Sequence, residues 1–202
     1  MNNPRPIAAA LSALVALVIP LAACSTPSAP AEPTTATVDT VPSEERGATQ
    51  HNTADTMFAQ MMIIHHEGAI DMAELARTRS GSEEVRALAE RISAAQGPEI
   101  EQMQSWLRAW GEPTDGGGHA GHGGMDMDGM TQDEMMAMLD GLSGADFDEA
   151  FLTGMIAHHE GAVDMAQAQL ADGENPEALE LAEKIIDDQE AEITEMQELL
   201  GQ

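Results

Sequence analysis

Residues 58–73 read FAQMMIIHHEGAIDMA, and residues 151–166 read FLTGMIAHHEGAVDMA. The two stretches lie at a constant offset of 93, and the correspondence runs without a gap from 55–104 to 148–197. Beyond the quoted stretch, Glu84, Leu88, Ala89, Glu90, Ile92, Gln96, Glu99, Ile100, Met103 and Gln104 recur as Glu177, Leu181, Ala182, Glu183, Ile185, Gln189, Glu192, Ile193, Met196 and Gln197. A gapless match of that density marks a duplication, so one structural unit is present twice, related by a pseudo-twofold axis.

Each copy reads as two helices. The first runs from about Thr53 to Arg79 and stops at Ser80-Gly81-Ser82, where Ser82 can cap the next helix. The second runs from about Glu83 to Trp110 and ends before Gly111 and Pro113. In copy two the break is Asp172-Gly173-Glu174-Asn175, with Pro176 suited to a first helical position. Such short breaks force antiparallel hairpins, and two hairpins predict an all-α four-helix bundle. Thr131-Gln132-Asp133-Glu134 has the pattern of a capping box and predicts a short extra helix. The third long helix is expected to start within 143–146. The domain then spans 51–202, with hairpin 1 at 53–111, a linker rich in Gly, His, Met and Asp at 112–130, and hairpin 2 at 144–201.

The N-terminus has a different character. Arg5 precedes an apolar run from Ile7 to Ala23 that is too short for a lasting membrane span, and it ends in Leu21-Ala22-Ala23-Cys24. This tetrapeptide resembles the bacterial lipobox. Residues 1–23 are therefore expected to be a lipoprotein signal peptide, with Cys24 lipidated and tied to the outer face of the cell membrane. Residues 24–50, rich in Pro, Thr, Ala and Ser, are expected to be a disordered tether. Cys24 is the sole cysteine, which excludes an intrachain disulfide. The formal net charge of -28 repels phosphate backbones and excludes nucleic acid as a partner. With 2% aromatic residues and no Tyr, the core must rest on Leu, Ile, Ala and an unusual 15 Met.

At about 100° per residue, Met62, His65, Ala69, Met72, Ala73 and Ala76 fall within about 60° of Phe58, while Glu67, Asp71 and Glu74 fall opposite. His65 is thus central on an apolar stripe and His66 lies at its edge. His158 and His159 repeat the arrangement. On the second helix Val85, Ala89, Ile92, Gln96, Ile100, Met103 and Leu107 share a face, with Glu99 at its edge. Gln189 and Glu192 are the counterparts. A polar group buried without a partner costs about 1–3 kcal/mol, so this layer needs an explanation. One explanation is structural, with His and Gln bonding across the helices as polar locks in a non-catalytic structural or interaction module. The other is a metal site built from Met62, His65, His66 and Met72 with Met155, His158, His159 and Met165. Glu99, Met103, Glu192 and Met196 are further donors within reach of such a site.

Imidazole suits copper, zinc, nickel and iron, whereas thioether favours Cu(I), so His with Met at helical spacing matches a copper ion best. His119, His122, Met125, Met127 and Met130 give the linker the same ligand bias. A carboxylate di-iron site needs Glu-x-x-His on two helices, and neither copy has it. A haem with His and Met axial ligands is a less favoured redox reading, and no Cys-x-x-Cys-His exists for covalent attachment. No nucleophile motif, phosphate loop or acid–base pair points to an enzyme.

The pattern Phe-x-x-x-Met-Ile-x-His-His-x-x-Ala-x-x-Met-Ala, followed by Ala-x-x-Ile and Gln-x-x-Glu-Ile-x-x-Met, resembles the bacterial family called domain of unknown function 305. Phe58 to Ala73 with Ala89 to Met103 carry it once, and Phe151 to Ala166 with Ala182 to Met196 carry it again. The resemblance spans about residues 50–202. It implies a ferritin-like helical fold, often secreted or lipid-anchored, and copper binding or copper resistance in some members. Residues and resemblance together lead to the expectation of a lipid-anchored, extracytoplasmic metal-binding protein. Its role would be copper sequestration, transfer or resistance, with a copper-handling protein as partner.

Overall fold

The computed structural model describes residues 50–114 and 130–201. Cys24 and the linker residues His119, His122, Met125 and Met127 lie outside these. The described residues form α1 (Thr53–Arg79), α2 (Glu83–Trp110), α3 (Gln132–Asp140), α4 (Ala145–Asp172) and α5 (Pro176–Leu200).

Local chemistry sets the boundaries. Asn52 and Asp55 form a reciprocal capping box at the start of α1. Ser82 caps α2 by accepting from the Val85 amide, and Gly111 ends that helix in the left-handed conformation at φ 76°. Thr131 and Glu134 form the capping box of α3. Asn175 accepts from the amides of Glu177 and Ala178, with Pro176 at the first position of α5. Gly144, just before α4, has φ 65° and ψ -142°, a region essentially reserved for glycine. Pro98 lies inside α2. It lacks the amide hydrogen that would bond the Ala94 carbonyl, one residue before Glu99.

α1 packs on α2, α4 packs on α5, and the two hairpins meet chiefly where α1 approaches α4. The core has two apolar lobes. One contains Ala69, Met72 and Ala76 of α1, Val85, Leu88 and Ile92 of α2, Phe147, Phe151 and Met155 of α4, and Met196 of α5. The other contains Phe58, Met62 and Ile63 of α1, Met103, Trp106 and Leu107 of α2, Ala162 and Ala166 of α4, and Leu181 and Ile185 of α5. Along every long helix the lobes are separated by the same few positions: 65–66, 96–99, 158–159 and 189–192. The polar residues of the repeat therefore form a transverse layer between two hydrophobic halves.

The hairpins are latched at both ends. Asp55 is fully buried and accepts from Gln169 Nε2 at 2.6 Å and from the amides of Glu174 and Asn175 in the α4–α5 loop. Its repeat partner Asp148 accepts from the Gly81 amide in the α1–α2 loop at 3.1 Å. At that end the Gly144 amide donates to the Arg79 carbonyl at 2.7 Å. A Cβ on Gly81 would lie 3.0 Å from the Gly144 Cα, so the two loops touch backbone to backbone.

α3 breaks the symmetry. It lies across the α1–α4 groove on one side only. Gln132 Nε2 donates to the Gly68 carbonyl at 3.0 Å, and Met135 fills the space over Gly154.

Candidate metal centre

Four imidazoles occupy the middle layer. His65 on α1 and His158 on α4 meet at the pseudo-twofold axis with ring centroids 3.6 Å apart and planes at 44°. Gly161 stands against this pair: a Cβ there would lie in ordinary contact, 3.4 Å from His65 Nε2. His66 and His159 point to the second helix of their own hairpins. His66 Nε2 is 2.7 Å from Glu99 Oε2, and His159 Nε2 is 2.7 Å from Glu192 Oε2. The repeat thus reproduces one interhelical pair in each half.

His66 and His159 were expected at the edge of the apolar stripe, yet both are fully buried. The Glu residue of the facing helix closes over each ring. Glu99 itself is 7% exposed. It is held by Lys184 from α5, whose Nζ is 2.8 Å from Oε1. Glu192 has no such cover from the equivalent cation, because Arg91 pairs with Glu195 instead.

The electrostatics follow from burial. Burial pushes His65 well below the ordinary imidazole range, and His158, His66 and His159 push it further the same way. His158 is lowered to about 3, first by burial and then by His159 and His66. Both central rings are therefore neutral at ordinary pH, the form in which imidazole ligates a metal. Burial resists ionisation of Glu99, but the hydrogen bonds from His66 and Lys184 outweigh it and hold the carboxyl below the usual range.

The layer contains donors and acceptors with no partner among the described residues. These are Nδ1 of His65, His66, His158 and His159, both amide atoms of Gln96, and Oε1 of Gln189. Each such atom costs about 1–3 kcal/mol if nothing meets it. Nitrogen donors of this kind suit copper. Among the described residues, no three His, Cys, Asp or Glu side chains converge as a preformed metal cage.

The methionines separate. Met62 and Met103 are buried in one lobe, and Met72, Met155 and Met196 in the other, so they flank the histidine layer from both sides. Met165 departs from the sequence expectation. It is half-buried and lines a surface groove, whereas its repeat partner Met72 is fully buried. The cause is α3, which covers the Met72 side of the bundle and not the Met165 side. Met130 is half-buried against the lobe beneath α3.

Sequence reasoning did not single out Lys184, although it is the only lysine in the chain. Nor did it single out Asp55 and Asp148, which open the repeated stretches 55–104 and 148–197. An acidic residue at the start of both first helices was the available signal.

The family described as domain of unknown function (DUF305) matches residues 55–200, and the chain belongs to it. A DUF305 fragment from Deinococcus radiodurans is 34% identical, with 74% of this chain and 97% of that chain covered and a TM-score of 0.64. A DUF305 protein from Streptomyces coelicolor is 34% identical over 73% of this chain and 92% of that one, with a TM-score of 0.63. The chain is also similar to CopM. The Cu(II)-bound form of that protein is 34% identical, with 73% and 96% covered and a TM-score of 0.59. The Cu(I)-bound form is 34% identical, with 72% and 94% covered and a TM-score of 0.57. No curated protein matches.

Proposed function

We propose that this DUF305 protein binds copper, and that it acts by holding and passing on the ion and not by transforming a substrate. The observation that carries the reading is the buried layer in which His65 and His158 face each other with unpartnered Nδ1 atoms. The similarity to CopM, solved with Cu(II) and Cu(I), supports copper as the ion. In this reading His65 and His158 supply the central nitrogen donors. Met62 and Met155, one turn before these histidines on the same helices, would supply thioethers, with Met103 and Met196 of the same lobes as further donors, a set that would suit the reduced ion. The low proton affinity of the central rings means that binding releases few protons there.

A second reading applies to the outer pairs. His66 with Glu99 and His159 with Glu192 already satisfy each other at 2.7 Å, which favours a role as interhelical polar locks.

The test is copper titration of the purified protein, in reduced and oxidised forms, beside the variants His65→Gln/His158→Gln and His66→Gln/His159→Gln. Glutamine keeps a polar side chain in the layer, and helical circular dichroism reports the fold. Loss of a bound copper in the first variant and retention in the second is the expected result. Unchanged stoichiometry and affinity in the first would sink the histidine-layer reading.

We further propose that the protein works on the outer face of the cell membrane, anchored through lipidated Cys24, where a copper-handling protein would be its partner. No helix among the described residues is long and apolar enough to cross a membrane. Mass analysis of the mature N-terminus tests the anchor, and Cys24→Ala should release the protein from the membrane fraction.

A further inference from the structure

The pseudo-twofold axis relates two grooves between α1 and α4, and they differ in what fills them. On one side α3 lies in the groove, with Met135 over Gly154 and the α3–α4 turn held by Arg79 through the Leu142 carbonyl. On the other side the groove is open, with a volume of about 330 Å³. Its walls carry Met57 and Met61 of α1 and Met165 of α4, with the exposed Asp172 at its rim. The repeat does not impose these methionines. The positions equivalent to Met57 and Met61 are Ala150 and Gly154, small residues that admit α3, and the position equivalent to Met165 is the buried Met72.

Met57 is 48% exposed, the largest value among the exposed large hydrophobic residues of the described chain. A bare apolar cover would use Leu or Ile equally well, yet all three positions carry sulfur. Met57 and Met61 are one turn apart on the same helix face, and Met165 reaches the groove from the facing helix. Three thioethers on two helices, with a carboxylate at the rim, form a soft neutral donor set next to a negative charge. Such a set selects a soft monovalent cation over hard divalent ones.

We infer that Met57, Met61 and Met165 form a surface site for Cu(I) or Ag(I), separate from the histidine layer. The site is open to solvent, so it can load and release an ion without opening the bundle. It does not depend on the histidine-layer reading.

The experiment is titration of the purified protein with Ag(I), followed by the ε-methyl resonances of 13C-labelled methionine. The comparison variants are Met57→Leu/Met61→Leu/Met165→Leu, the control Met136→Leu, and His65→Gln/His158→Gln. Leucine keeps the apolar cover and removes the sulfur. The expected result is that the three groove methyls shift together over one equivalent. The triple variant then loses that equivalent, while the control and the histidine variant keep it. An unchanged silver stoichiometry in the triple variant overturns the inference. So does a response in which the three methyls titrate at different equivalents, as unrelated exposed thioethers would. If the histidine variant alone loses metal, the layer reading stands and the groove site falls. If the triple variant alone loses it, the reverse holds.

Discussion

Asp55 and Asp148 occupy the same position of the repeat, yet the structure gives them very different work. Asp55 is fully buried and accepts from the Asn52 amide at 2.8 Å, Gln169 Nε2 at 2.6 Å, the Glu174 amide at 3.2 Å and the Asn175 amide at 3.1 Å. Replacing it by Ala leaves several buried donors unmet and removes half of a capping box. Bonds to a charged acceptor contribute roughly 1.5–3 kcal/mol each but are not additive, and breaking one side of a buried charged network costs about 3–5 kcal/mol. We therefore expect Asp55→Ala to cost about 4 kcal/mol. Asp148 is half-buried and, among the described residues, its carboxylate accepts only from the Gly81 amide, in an exposed setting, so Asp148→Ala should cost about 1 kcal/mol. For a domain of this size the gap of about 3 kcal/mol corresponds to roughly 10 °C in Tm. Asp55→Asn, which keeps shape and one acceptor oxygen but loses the charge, should fall between. Urea unfolding followed by helical circular dichroism, with equal m-values required for comparison, measures all three. Costs for Asp55→Ala and Asp148→Ala within about 1 kcal/mol of each other would refute the reasoning, because burial would then not be what separates the two latches.

Acid should weaken the metal-free fold through its two central histidines. His65 and His158 have folded pKa values below the unfolded value, so the unfolded chain binds more protons and stability falls as pH drops through about 6.5. The loss should reach roughly 2 kcal/mol per ring at pH 5. Urea titrations at several pH values should show this slope in the native protein and a much flatter one in His65→Gln/His158→Gln; equal slopes would contradict it. Gly144→Ala should cost about 1–3 kcal/mol in the same assay, because φ 65° with ψ -142° strains any residue with a Cβ. Lys184→Met should cost less than about 1 kcal/mol, since its head group is half-exposed, and a larger loss would mean Glu99 depends on it. In Glu99→Gln, by contrast, His66 loses a buried charged partner, and a loss of about 2 kcal/mol or more is expected in thermal melts.

The helices and their hairpin order were legible because local signals carried them. Capping residues at Ser82, Thr131 and Asn175, the breaks at Gly81 and Gly173, and apolar residues at helical spacing all act within a turn or two of chain. The duplication then placed His65 and His158 in one core, since equivalent faces must meet about a pseudo-twofold axis. Burial of His66 was less legible. A helical wheel gives an angle on one helix, whereas the cover comes from Glu99 on another. The same limit hid the role of Lys184, which reaches Glu99 from the other hairpin.

The sequence by itself determined the all-helical composition, the two hairpins and the polar layer shared by both, because each depends on local propensity or on the repeat. Tertiary structure decided where the repeat stops being symmetric. α3 covers Met72 and leaves Met165 at the surface, Asp55 is sealed while Asp148 is not, and Lys184 guards one rim carboxylate but not the other. Where the two copies carry the same residue, as at Asp55 and Asp148, they differ through what packs against them, and that is a property of neighbours distant in the chain.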